Sequence, residues 1–311
     1  MRATGRTAGV IAGVIALLLV GCGTEAPPGD GRPRVVATTT QVGSIAAEVA
    51  GDAVELTVLL RPGVEAHDFE LTPAAGAAIE RADIVLVSGA GLEDWLADTL
   101  DNVGAADRAR DLSAGIELRV RGADDPGEGG AGAVDPHYWL SAPNAIAMVE
   151  NARDALSDAF PAEADGFAAR AQTLIERLAA ADEEVRALVN EVPADRRLIV
   201  TDHDALGYFV DAYGLRFVGS VFPSLDVASE PSAQEIEALV EAIRAQGVTA
   251  IFTESSVDPR LARAIAEETD ARLVDEPIYT DSLGAAGSGA DTLDGMLLHN
   301  ARVIRDGLIG G

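Results

Sequence analysis

The sequence predicts an α/β fold of two lobes, each with a mostly parallel sheet flanked by helices, joined by one long spine helix. Three observations predict it. Short apolar runs alternate with helix-period stretches along the chain, the signature of strands that pair in parallel under covering helices. One amphipathic stripe of about thirty residues, 162–191, interrupts that alternation. The alternation then resumes after Pro193 in the same style, with no residue-level repeat. The domain plan that follows is 34–161 for the N-terminal lobe, 162–191 for the spine and 192–311 for the C-terminal lobe.

Residues 34–39 (Arg-Val-Val-Ala-Thr-Thr) read as a strand. Val42, Ile45, Ala46 and Val49 recur at helical spacing, and Gly51 supplies a stop. Residues 54–60 alternate and end at the turn Arg61-Pro62-Gly63. Thr72 and Pro73 suit the cap and first turn of a helix running to Arg81. Residues 83–88 form a buried strand, and a helix is expected to begin at Gly91. Residues 121–133 lack any apolar period and read as a surface loop. Pro143 opens a helix to Phe160. The spine carries Phe167, Ala171, Leu174, Ile175, Leu178, Val185 and Leu188 on one face, and thirty residues would span roughly 45 Å. In the second half, strands are expected at 197–201, 216–221, 248–253 and 271–275, with helices at 204–213, 233–246, 258–269 and 291–308. Ser232 and Glu235 have the spacing of a capping box.

The N-terminus reads as a targeting segment. Arg2 and Arg6 precede an apolar run at 10–20, too short to span a membrane as a mature helix. Leu19-Val20-Gly21-Cys22 places small residues before the sole cysteine of the chain and is similar to a bacterial lipobox. The expectation is a signal peptide over 1–21, lipidation of Cys22 and a flexible tether over 22–33, rich in Gly, Pro and charge. With Arg2 and Arg6 removed, 21 of the 23 basic residues remain against 51 acidic ones, a net of −30, and there is no lysine. A field of that sign repels nucleic acid and anionic substrates and favours the approach of cations.

The chemistry gathers on the histidines. There are four, at 67, 137, 203 and 299. His67, His137 and His203 sit in loop-like contexts at strand–helix junctions, and Asp281 lies in a glycine-rich loop further on. In open α/β sheets such junctions, at the carboxyl ends of strands, are where ligands bind. Three imidazoles and one carboxylate make a closed tetrahedral set suited to Zn²⁺. Full coordination by protein leaves no position for an activated water, so the set argues for holding an ion over using it in catalysis. Glu65 and Asp68 flank His67, Asp135 precedes His137, and Asp202 and Asp204 flank His203, which makes these carboxylates candidate acceptors for the ligands' second nitrogens. Glu254, at a strand's carboxyl edge, is a candidate fifth ligand or outer acceptor, with packing or helix capping as the plainer alternative. His299 falls inside the last helix and is left out.

The segments Pro62-Gly63…His67-Asp-Phe-Glu-Leu-Thr-Pro73, Ser88-Gly-Ala-Gly-Leu-Glu-Asp-Trp95, Asp135-Pro-His-Tyr-Trp-Leu140, His203-Asp-Ala-Leu-Gly-Tyr-Phe209, Glu230-Pro-Ser-Ala-Gln-Glu235 and Thr280-Asp-Ser-Leu-Gly284 occur in one order along nearly the whole chain. In this the chain resembles the zinc/manganese solute-binding lipoproteins of ABC importers. The resemblance implies two α/β lobes on one long helix and ligands at His67, His137, His203 and Asp281. It further implies an ABC permease as partner, an extracytoplasmic place anchored through Cys22, and a monomer. Manganese-selective members tend to carry glutamate where this chain has His203, so the resemblance favours Zn²⁺, with Mn²⁺ or Fe²⁺ as alternatives. The loop ahead of His137 departs from many zinc members, being short and without histidine. A zinc hydrolase lacks support from any His-Glu-x-x-His, Gly-x-Ser-x-Gly or cysteine nucleophile. An adhesin using the metal structurally is the other rival.

Overall fold

The computed structural model describes residues 31–67, 69–121, 132–224 and 230–310. The expectations for the signal segment 1–21, Cys22, most of the tether, Asp68 and most of the 121–133 loop lie outside the described residues.

The N-terminal lobe runs β1 (Arg34–Ala37), α1 (Thr40–Ala50), β2 (Glu55–Val58), α2 (Pro73–Arg81), β3 (Ile84–Val87), α3 (Ala97–Asn102), β4 (Ala109–Asp111) and α4 (Ala142–Ala159). The spine is α5 (Ala164–Asn190). The C-terminal lobe runs β5 (Leu198–His203), α6 (Gly207–Tyr213), β6 (Arg216–Phe222), α7 (Ala233–Gln246), β7 (Ala250–Glu254), α8 (Arg260–Thr269), β8 (Arg272–Ile278) and α9 (Leu293–Ile309). Each lobe holds a four-stranded sheet, ordered β2-β1-β3-β4 and β6-β5-β7-β8, with every pairing parallel. The two sheets share one topology although their sequences do not repeat. Among the described residues no helix is long and apolar enough to cross a membrane.

Local chemistry sets most boundaries. Thr39, Thr72 and Thr292 accept the Val42, Ala75 and Gly295 amides and so start α1, α2 and α9. Ser232 and Glu235 form the expected capping box of α7, which ends on Gly247 at φ +69°. Several boundaries differ from expectation, β8 among them, which runs to Ile278 and not to 275; three have a visible cause or partner. The stretch after Gly91 forms a short 3₁₀ turn at Asp94–Leu96 before α3 begins, because the Glu93 carboxylate is spent on the Ser88 and Gly89 amides and the Thr38 hydroxyl. Helix α6 starts at Gly207 and not at Asp204, whose carboxylate pairs with the buried Arg121. Strand β5 continues through His203, two residues beyond expectation, pairing His203 with Phe222. Strand β4 was not expected; three residues with one half-buried and two exposed side chains carry no alternation to detect.

The spine buries Phe167, Ala171, Leu174, Leu178, Ala181, Val185, Leu188 and Val189. All of these but Ala181 pack into a core that also holds Ile45 and Val49 of α1, Val149 of α4, and Met296 and Ile304 of α9. Hydrophobic burial is therefore continuous through both lobes, with satellite cores beneath α7 and α8 and beneath α2 and α3. At 27 residues, α5 is about 40 Å long and reaches both lobes. Arg177, at its middle, bonds Glu48 of α1 at 2.5 Å and Asp294 of α9 at 2.8 Å, and Arg170 donates to the last carbonyls of α1 at Val49 and Ala50. Because one core serves both lobes, Leu178→Ala is expected to cost about 3 kcal/mol and to lower a single unfolding transition, not one of two. Denaturant unfolding followed by circular dichroism checks this; two separated transitions in the parent protein would contradict it.

Candidate metal centre

The parallel topology aims the carboxyl ends of both sheets at a common crevice. His203 ends β5 and Glu254 ends β7, adjacent strands at the point where the order of the second sheet reverses. The loop after β2 brings His67. It is held by the Trp95 indole, which donates to the Ala66 carbonyl at 2.8 Å, and by Glu65, which accepts the His67 amide at 2.8 Å. Thus the 88–95 turn has a physical purpose: Glu93 closes it, and Trp95 leaves it to pin the His67 loop. Gly89 is required there, at φ +81° with the Asp111 carboxylate packed where a Cβ would stand. His137 arrives on the segment before a 3₁₀ turn at Tyr138–Leu140. Asp281 comes from the loop that follows β8.

These four residues converge. One donor atom from each of His67, His137, His203 and Asp281 lies within 4.8 Å of the others. His67 Nε2 stands 3.3 Å from His137 Nε2, His137 Nε2 is 3.0 Å from Asp281 Oδ1, and His203 Nδ1 is 3.6 Å from Asp281 Oδ2. Donors bound at about 2.0 Å around a tetrahedral ion stand about 3.3 Å apart, so the spacing fits such a shell. His137, His203 and Asp281 are buried, and His67 is half-buried on the side of a cavity of about 430 Å³ lined by Ala90, Gly91, Asp94, Leu118, Val134 and Pro136. His299 stands apart, donating to the Pro277 carbonyl at 2.9 Å.

The surrounding groups prepare the set for a cation. Asp135 Oδ1 accepts both the His137 amide, at 3.0 Å, and its ring Nδ1, at 2.8 Å. That fixes the tautomer and turns Nε2, with its lone pair, into the cluster. Glu254 Oε2 lies 3.3 Å from His203 Nδ1. Asp202 takes a different part from its neighbour: it accepts the Glu254 amide at 2.9 Å and so orients Glu254. Neither oxygen of Asp281 has a well-formed hydrogen-bond donor although both are buried, an arrangement that is costly without a positive charge beside it. Burial alone would raise the Asp281 carboxyl, yet His203 and His137 hold it below the ordinary carboxylate range. Burial likewise disfavours a charge on His137, but Asp281 and Asp135 outweigh it and lift the imidazole to about 9. Further out, Glu65 is pushed up to about 7 by burial and then by Asp281, and Asp202 to about 8 by burial and then by Glu254. A positive charge at the cluster, whether a proton or an ion, is therefore favoured by the carboxylates around it.

Sequence reasoning did not find Gln41 and Thr280 as parts of this site. Gln41 and Thr280 meet across 239 residues of chain, and neither residue type signals such a role. Glu65, a candidate acceptor beside His67, accepts that residue's amide and not its ring.

Two parallel-sheet lobes that enclose a buried imidazole–carboxylate cluster have the architecture of a metal-binding protein. The family relationship is explicit in sequence. Residues 35–307 match the model of the family described as ZnuA, zinc-uptake complex component A, periplasmic, and the chain belongs to this family of metal solute-binding components of ABC importers. The manganese-binding lipoprotein MntA of Halalkalibacterium halodurans is 30% identical, over 95% of this chain and 96% of its own. The manganese ABC transporter substrate-binding lipoprotein PsaA of Streptococcus pneumoniae is 27% identical, over 97% and 99%. Among solved structures, the periplasmic zinc-binding protein TroA of Treponema pallidum superposes with a TM-score of 0.82 at 27% identity, covering 89% of this chain and 99% of its own. A manganese-bound periplasmic metal-binding protein from Candidatus Liberibacter asiaticus gives 0.78 at 25% identity, covering 89% and 100%.

Proposed function

We propose that this protein captures one divalent transition-metal ion on His67, His137, His203 and Asp281 outside the cytoplasmic membrane and delivers it to the permease of an ABC importer. The observation that carries the reading is the convergence of three imidazoles and a buried carboxylate at the spacing of a tetrahedral shell. Zn²⁺ is the preferred ion in this proposal. Imidazole-rich sites bind Zn²⁺ more tightly than Mn²⁺ along the divalent series, whereas oxygen-rich shells suit Mn²⁺. The manganese reading draws on the relatives named above as manganese-binding and on Glu254, whose carboxylate stands 3.3 Å from His203 Nδ1 and offers an additional oxygen.

The same proposal gives the chain its cellular form. Residues 1–21 are removed as a signal peptide, Cys22 is lipidated, and 22–33 tether a monomer of two lobes, 34–161 and 192–311, on the spine 162–191. Its acidity excludes nucleic acid as a partner. Cys22→Ser is expected to shift the protein from the membrane fraction to the soluble fraction, read by immunoblot; unchanged membrane retention would remove the lipid anchor from the proposal.

The deciding experiment is metal content of the chain from Gly23 onward, followed by competitive Zn²⁺ and Mn²⁺ titration. One Zn²⁺ per chain, not displaced by excess Mn²⁺, is the expected result. Preference for Mn²⁺ would keep the transport role and reverse the selectivity, and no stoichiometric metal would remove the role itself.

A further inference from the structure

We infer that Thr280 is a positioning residue that couples retention of the ion to closure of the two lobes. The inference rests on the metal-binding reading above and adds residues that contact no ion. Thr280 is buried immediately before Asp281. Its carbonyl accepts two hydrogen bonds, from Trp139 Nε1 at 2.9 Å and from Gln41 Nε2 at 3.0 Å. Both donors belong to the N-terminal lobe, and both side chains are buried. Two donors occupy both lone pairs of that carbonyl, which fixes the orientation of the peptide leading into Asp281.

The other end of Thr280 faces its own lobe. The hydroxyl donates to Glu254 Oε2, the oxygen that stands 3.3 Å from His203 Nδ1. One residue therefore connects the two C-terminal donors, Asp281 directly and His203 through Glu254, to two anchors on the opposite lobe. The rest of the loop is held the same way. Ser282 Oγ accepts the Gly63 amide at 2.8 Å, and the Leu283 amide donates to Thr40 Oγ1 at 2.9 Å. Asp281 follows a C-terminal strand in sequence, but its backbone is held by the N-terminal lobe.

This arrangement has a kinetic consequence. If the lobes part, the Thr280 carbonyl must leave Gln41 and Trp139, or the Thr280 hydroxyl must leave Glu254 and Asp281 must leave His203. Either event opens the coordination shell. The bonds on Thr280 thus set how fast the ion departs, and they act chiefly on the dissociation rate.

The test uses the chain from Gly23 onward, loaded with Zn²⁺ and mixed by stopped flow with an excess of a chelating dye. Thr280→Val removes the hydroxyl and keeps the shape; it is expected to speed dissociation roughly tenfold or more, the scale of lost outer contacts at metal sites. Thr280→Ser restores the hydroxyl and is expected within about twofold of the parent. Trp139→Phe and Gln41→Met each remove one donor to the carbonyl and are expected to speed release about fivefold, the scale of one hydrogen bond. The metal-free melting temperature is expected to stay close to the parent's in Thr280→Val, Thr280→Ser and Gln41→Met, and to fall in Trp139→Phe, which truncates a buried ring. Unchanged rates in Thr280→Val, Trp139→Phe and Gln41→Met would overturn the inference, as would a faster rate in Thr280→Val that Thr280→Ser fails to restore. Lower metal-free melting temperatures with unchanged rates would also overturn it, leaving Thr280 a structural role only. If Thr280→Val does not fold, the Trp139→Phe and Gln41→Met rates decide. A parent that holds no Zn²⁺ removes the metal-binding reading and this inference together; a parent that holds it, with variants that release it no faster, removes the inference alone.

Discussion

Replacing His137 by alanine is expected to weaken ion binding roughly a thousandfold or more, a loss of about 4 kcal/mol or greater. The reason lies in its two-sided contacts. Its Nε2 stands 3.0 Å from Asp281 and 3.3 Å from His67 Nε2, at the centre of the cluster, while Nδ1 is fixed by Asp135. Alanine removes one of the four proposed ligands and leaves the buried Asp135 and Asp281 carboxylates without the group that faces both. Asp135→Asn keeps the ligand and loses only its orienting charge, so it is expected to cost roughly 10- to 100-fold. Chelator-competition titrations at fixed pH give the order His137→Ala, then Asp135→Asn, then parent, from weakest to tightest. An Asp135→Asn protein as weak as His137→Ala would mean that the carboxylate reaches the ion itself.

The second large effect is on pH. Affinity is expected to rise about tenfold per pH unit through the neutral range and to level off above about 9. The sign follows from His137, which Asp281 and Asp135 lift to about 9 against the cost of burial. In the empty protein at neutral pH this imidazole carries a proton, and only the neutral ring binds an ion. Each ion bound therefore expels a proton, and acid favours the proton. Between pH 8 and pH 6 the apparent affinity should fall about a hundredfold, with close to one proton released per ion, measured by titration in buffers of differing ionisation enthalpy. Affinity independent of pH over that interval would show that His137 is already neutral in the empty site. The proton uptake also has a structural meaning. The buried Asp281 carboxylate needs a positive charge beside it, and in the metal-free protein a proton on the histidine cluster supplies it.

The comparison of pattern with structure separates by physical range. Alternation of apolar runs with helical stripes was enough to anticipate two parallel-sheet lobes and the long helix, because strand and helix periods are written in neighbouring residues. The capping box at Ser232 and Glu235 was legible for the same reason, since both halves of the device lie three residues apart. Boundaries failed where a side chain had a distant partner. Asp204 looks like an ordinary helix start, but its carboxylate is taken by Arg121, 83 residues away, and α6 begins later. Glu93 likewise closes a turn against Thr38 across 55 residues, and the expected helix is delayed.

The same division runs through the site. Sequence alone determined which residues were available as donors: three histidines at strand–helix junctions, one aspartate in a glycine-rich loop, and a strongly acidic chain suited to a cation. Local spacing even suggested Asp135 for His137, since two residues of backbone suffice to bring that carboxylate to the ring. It takes the assembled fold to bring the four donors within 4.8 Å of one another, to set Asp202 on Glu254 and not on the neighbouring imidazole, and to carry Gln41 and Trp139 from the other lobe to Thr280. Those outcomes depend on how two sheets are set against one spine helix. Contacts across such distances are fixed by packing of the whole core, and no short window of residues contains them.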